Sequence, residues 1–96
     1  MQKNNDHTLK EVINELLKQY KLSDKLKEIK VIELWPNTVG KIISKHTTGI
    51  YLRNKILYIT LDNAAMREEL HYAHTKLLKI LNRKLGENFI EEIFFK

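Results

Sequence analysis

Apolar residues first become periodic at Leu9, Val12, Ile13, Leu16, Leu17 and Tyr20. These spacings of three and one place a single stripe on a helix of about three turns. Thr8, with Glu11 three residues on, reads as its N-cap in a capping box. Residues 1–7 are polar and read as a disordered lead, which leaves 8–96 as one domain. Ser23 or Asp24 caps a second helix, whose apolar positions are Leu26, Ile29, Ile32 and Trp35, followed by Val39, Ile42 and Ile43. Pro36 interrupts that run. Its ring clashes with the carbonyl of Ile32 in a continuous helix, and its fixed φ suits a first helical position. The reading is a break near Trp35 and a new helix from Pro36 to about Lys45, with a single kinked helix as the alternative.

His46 to Gly49 reads as a linker. Ile50–Arg53 and Lys55–Leu61 read as strands joined by a tight turn at Arg53-Asn54-Lys55. Alternation sets Leu57, Ile59 and Leu61 on one face and Ile56, Tyr58 and Thr60 on the other. Asp62 or Asn63 caps one long helix with Met66, Leu70, Ala73, Leu77, Leu81 and Leu85 in its stripe, and Gly86 is its left-handed C-cap. Phe89 to Phe95 is β-prone and supplies a third strand. The order α-α-(α)-β-β-α-β predicts an α+β sandwich, about three strands with helices on one face.

Composition narrows the class. Ninety-six residues at 11.4 kDa suit a single core. With no cysteine, disulfide scaffolds, thiolate metal sites, iron–sulfur clusters and cysteine nucleophiles are excluded. The absence of disulfides and of a secretory h-region points to a reducing cytoplasm, and no stretch is apolar enough for a membrane span.

Charge then changes the picture. Seventeen Lys+Arg against twelve Asp+Glu leave a formal charge of +5. No acid lies between Glu33 and Asp62, where Lys41, Lys45, Arg53 and Lys55 fall, or between Glu69 and Glu87, where Lys76, Lys79, Arg83 and Lys84 fall. Lys76, Lys79 and Arg83 share one helix face. Two basic windows that converge would track a phosphate backbone; a solvated face is the plainer reading. Tyr51, Tyr58 and Tyr72 stack bases if exposed, and otherwise fill the core with a wet hydroxyl.

Other chemistry is thin. His71 and His74 have a ligating spacing but lack a third partner beyond His46 or Glu68. Asp62, Glu68 and Glu69 gather at a helix N-terminus, which attracts carboxylates for dipole reasons alone. Gly40 stands alone, so there is no phosphate loop. No catalytic set is legible, and neither a cofactor nor a metal is called for.

An ordered set of short strings carries a resemblance. It begins with Trp35-Pro36-Asn37-Thr38-Val39-Gly40, Ile42-Ile43 and His46-Thr47, then the strands Ile50–Leu52 and Leu57–Leu61. Asn63-Ala64-Ala65-Met66-Arg67-Glu68-Glu69-Leu70 follows, then Leu77-Leu78, Leu81-Asn82, Leu85-Gly86 and Ile90–Phe95. Over roughly Leu9 to Phe95 this resembles the bacterial DciA family, long carried as a domain of unknown function. Met66, where relatives often have a second Trp, resembles the Bacteroidetes-type branch. The resemblance implies a KH-like fold and a loader or operator of the replicative helicase, although this chain has no Gly-x-x-Gly. Within the motif, Trp35 is expected to plug the core, and Gly40 to permit close approach of neighbouring elements.

The expected function is a non-catalytic accessory protein of DNA replication. It binds nucleic acid, single-stranded DNA in preference, through Lys41, Lys45, Arg53, Lys55, Lys76, Lys79 and Arg83, and contacts the replicative helicase. An RNA-binding KH-like module and a protein-interaction adaptor are the alternatives.

Overall fold

Both apolar stripes of the N-terminal third lie on one helix. The computed structural model describes the backbone of residues 5–96, and side chains from Thr8 onward. Helix α1 runs Asn5–Val39 without interruption, with Pro36 inside it. At 1.5 Å per residue its 35 residues span about 52 Å, and it is the reason the molecule measures 63 × 25 × 20 Å. Of the lead expected over residues 1–7, residues 1–4 lie outside the described structure, while Asn5–His7 belong to α1. Thr8, Ser23 and Asp24 therefore stand within a helix rather than capping one. Ser23 instead accepts a hydrogen bond from Lys27 Nζ at 2.9 Å.

The break expected near Trp35 falls later, at Gly40. A proline inside a helix costs about 3 kcal/mol. Val31 and Trp35 are buried on the turns just before Pro36, and each such burial returns roughly 2 kcal/mol or more, so the helix holds through the proline. Thr38 Oγ1 also donates to Leu34 O at 2.8 Å, and Gly40 N to Pro36 O at 2.8 Å, closing the last turn. Gly40 then adopts φ 92°, ψ 165° and starts the short helix α2, Lys41–Lys45.

Strands β1 (Thr47–Arg53) and β2 (Ile56–Leu61) form an antiparallel hairpin, with an irregularity between Thr47 and Gly49. Most of the expected linker is thus strand. Asn54 and Lys55 both have positive φ, as a two-residue turn of primed type requires. Helix α3 (Ala64–Tyr72) is capped by Asn63 Oδ1, which accepts from Met66 N at 2.9 Å. Helix α4 (His74–Leu85) ends at Gly86 in the left-handed conformation.

The single long helix expected from Asn63 to Leu85 is therefore two helices, parted at Ala73. There the His74 Nδ1–H donates to His71 O at 2.6 Å, adding a side-chain bond to the backbone bonds that close α3. Two shorter helices also fit a sheet whose strands are about 13–23 Å long, which one straight helix of that length would overhang. Strand β3 (Glu92–Phe95) is shorter than expected and runs parallel to β2, giving the order β1-β2-β3.

The core lies between the sheet's inner face and the helices. Leu52, Leu57, Ile59, Leu61 and Ile93 meet Val31, Trp35, Leu70, Leu77 and Leu81 there. Three polar contacts fix the layers. Trp35 Nε1 donates to Thr47 Oγ1 at 2.8 Å, which in turn donates to Ile43 O at 2.8 Å. Buried Glu28 accepts from Leu52 N at 2.9 Å, satisfying an amide on the edge strand β1. Buried Asn82 clamps Ile90, donating to its carbonyl and accepting from its amide, both at 2.9 Å. Gly40 has nothing within 4 Å of where a Cβ would stand. Its role is its backbone conformation, not the close approach expected from sequence.

Candidate nucleic-acid interface

Lys76, Lys79 and Arg83 project from α4 on the side away from its buried Leu77, Leu81 and Asn82. They are exposed because the 3.6-residue period that buries those residues turns these three to solvent. Lys84, one residue beyond, is instead tied to α1, its Nζ donating to Thr38 Oγ1 at 3.0 Å. Lys41 and Lys45 are the exposed ends of α2.

The remaining expected residues sit at the far end of β1. Arg53 closes that strand, and Lys55 occupies the turn with its Nζ 4.0 Å from Glu91. The seven residues of β1 set Lys45 and Arg53 about 20 Å apart. The cations expected from sequence thus occupy three places: α2, the outer face of α4, and the hairpin end. Among the described residues, Lys41, Lys45, Arg53, Lys76, Lys79 and Arg83 make no ion pair. The acids pair elsewhere: Glu87 lies 3.8 Å from Lys27, and Asp62 accepts from His46 Nδ1–H at 2.7 Å.

The sheet's outer face carries the other functional candidates. Tyr51, Tyr58 and Phe94 are register partners across the three strands. Their ring centroids are 5.9 Å and 5.8 Å apart. Tyr51 and Phe94 are 48% and 50% exposed. Tyr72 is 80% exposed but lies on α3, apart from this row. Phe94 and Lys96 are absent from the sequence-derived set. Alternation against buried Ile93 would have turned Phe94 outward, but its pairing with Tyr58 depends on a parallel register that no local pattern reveals.

His71 and His74 stack at 5.4 Å between centroids, and no group of three metal-ligating side chains occurs among the described residues. Glu68 and Glu69 are exposed on α3. Glu28 has a lowered pKa. Burial alone would raise its pKa, but the Leu52 amide and Lys25, whose Nζ is 3.0 Å away, outweigh that and lower it. No described helix is long and apolar enough to cross a membrane.

The chain is similar to known proteins. The family described as "Dna[CI] antecedent, DciA" matches residues 8–95. A "UPF0232 protein" of Corynebacterium glutamicum is 32% identical over 59 residues, covering 62% of this chain and 33% of that protein. The chain therefore spans about a third of the length of that relative.

Proposed function

The chain belongs to the DciA family, and from that premise we propose that it is a non-catalytic accessory protein of DNA replication that binds single-stranded DNA and contacts the replicative helicase. The family is associated with DNA replication and helicase loading. The observation that carries the nucleic-acid reading is the set of exposed cations Lys41, Lys45, Lys76, Lys79 and Arg83 on α2 and α4, none of which makes an ion pair among the described residues. A cation already paired with a carboxylate gains little from a phosphate. An unpaired, solvated one releases the counterions of the phosphate it neutralises, and that release drives binding.

The helicase contact finds support in α1. Leu9, Val12, Ile13, Leu16, Leu17 and Tyr20 are all exposed on its first half, a continuous apolar stripe of the kind that docks into a groove on a partner. The mechanism is association in the cytoplasm: cations hold the strand while the stripe engages protein.

Titrating single-stranded DNA, duplex DNA and RNA of one length against the chain tests the first half of the proposal. Tighter binding of single-stranded DNA supports it, RNA preference favours an RNA-binding module, and no binding at 50 mM salt leaves a protein adaptor.

A further inference from the structure

We propose that the outer face of the sheet is a base-stacking platform, on which single-stranded nucleic acid lays its bases across Tyr51, Tyr58 and Phe94. This rests on the nucleic-acid reading above and assigns it a second surface, distinct from the cations of α2 and α4.

A sheet covered by helices on one side turns its other side to water, and alternation normally makes that side polar. Here the outward positions form three rungs. Gly49 lies opposite Thr60, Tyr51 opposite Tyr58, and Arg53 opposite Ile56, with Phe94 and Glu92 extending the last two rungs on β3. Lys96 follows Phe94 by two residues, and its backbone continues the ladder through Lys96 N to Ile59 O at 2.9 Å and Leu61 N to Lys96 O at 2.7 Å. The middle rung is therefore aromatic in every strand. Phe94 has no polar atom to justify the half of its surface left in water.

Cations border the rings directly. Arg53 Nη1 donates to Tyr51 Oη at 3.2 Å, and Lys96 Nζ lies 5.4 Å from the Tyr58 ring centroid. The one acid of these rungs, Glu92, accepts from Ile93 N at 3.1 Å and lies 4.0 Å from His74 Nε2, which engages it at the β3 edge. Gly49 places no side chain over the end of the row beside Tyr51. The result is a row of three rings, Tyr51 tilted 49° to Tyr58 and Tyr58 stacked with Phe94 at 17°, with positive charge on two sides.

The dimensions choose the ligand. One rung of three rings is far narrower than the roughly 800 Å² per partner of a standard protein interface. It matches roughly two or three unstacked bases, whose π faces any sequence supplies. Duplex DNA cannot use it, because its bases are already stacked and paired.

The test uses the full chain and a fluorescent oligothymidylate, with a duplex of equal length beside it. Tyr51→Leu and Phe94→Leu keep apolar, strand-compatible side chains but remove the rings. Each is expected to weaken single-strand binding by roughly tenfold, with the slope of log K against log salt unchanged. Arg53→Gln with Lys96→Gln is expected to flatten that slope by about 1.4, from about 0.7 per phosphate contact. In the unaltered protein, ring proton resonances of Tyr51, Tyr58 and Phe94 should shift as oligothymidylate saturates it, a readout independent of whether the variants fold. Binding that is retained by folded leucine variants, or ring resonances that stay still at saturation, overturns the platform while leaving nucleic-acid binding to α2 and α4. A wild-type chain that binds no oligonucleotide at 50 mM salt overturns both.

Discussion

Trp35 joins three elements: it is buried from α1, bonds Thr47 on β1, and through that hydroxyl reaches Ile43 on α2. Trp35→Ala is expected to cost about 3–5 kcal/mol in a urea melt, whereas Trp35→Phe, losing one hydrogen bond and part of the buried ring volume, should cost less, about 1–3 kcal/mol. A Trp35→Ala protein as stable as the parent would show that the core does not depend on this residue. The sequence marks Trp35 as core because two apolar runs meet there. It misdirects at Gly40, because spacing cannot report the sign of φ. Gly40→Ala meets open space yet should still cost about 1–3 kcal/mol, since its φ of 92° with ψ of 165° suits glycine almost alone. Glu28 was illegible for another reason: a carboxylate between lysines on a helix reads as solvated, and only the tertiary fold gives it the Leu52 amide. Its lowered pKa means that it contributes stability above its unfolded pKa, which is lost as pH falls through the folded value. Glu28→Gln should flatten the acid limb of stability against pH. An unchanged acid limb would show that the carboxylate is not linked to folding.

At the scale of elements, what the sequence makes legible is local. The hairpin turn, the Asn63 cap, the Gly86 cap and the alternation of β2 all follow from residue chemistry within a few positions. Helix boundaries inside long apolar runs do not. Pro36 fails to end α1 because buried neighbours outweigh it, and the break at Ala73, marked by the His74 side chain on the His71 carbonyl, lies inside an unbroken apolar run. The candidate cations were likewise legible one element at a time. Their division between the helical layer and the two ends of β1 is a property of topology, which charge windows do not contain. Lys76, Lys79 and Arg83 are off the core side of α4, so reversing all three to Glu should leave the melting temperature within a few degrees. The same variant should weaken DNA binding at least tenfold, since each reversal removes a phosphate contact and adds a repulsion. Undiminished affinity in a folded variant would confine binding to α2 and the sheet.

The whole molecule is a small α+β body with a helical arm. Residues 8–22 of α1 are all exposed, with only Leu17, Tyr20 and Lys21 reaching a cleft beside the hairpin turn at Asn54 and Lys55, and a solitary helix of that length is marginal in water. Hydrogen exchange should therefore be fast from Leu9 to Tyr20 and slow around Val31, and should slow across Leu9–Tyr20 on addition of the replicative helicase. Unaltered exchange there with saturating helicase would remove the arm from that contact. The seven candidate cations belong to the scale of the molecule too, because a formal charge of +5 acts on a polyanion before any one side chain does. The central claim is that the cations of α2 and α4 bind single-stranded DNA, and the most direct measurement is the affinity of the full chain for a single-stranded oligonucleotide as salt is raised. With about five phosphates neutralised, log K should fall linearly with log salt at a slope of about −3.5, with duplex of equal length bound more weakly. Affinity indifferent to salt, or none at 50 mM, would contradict it.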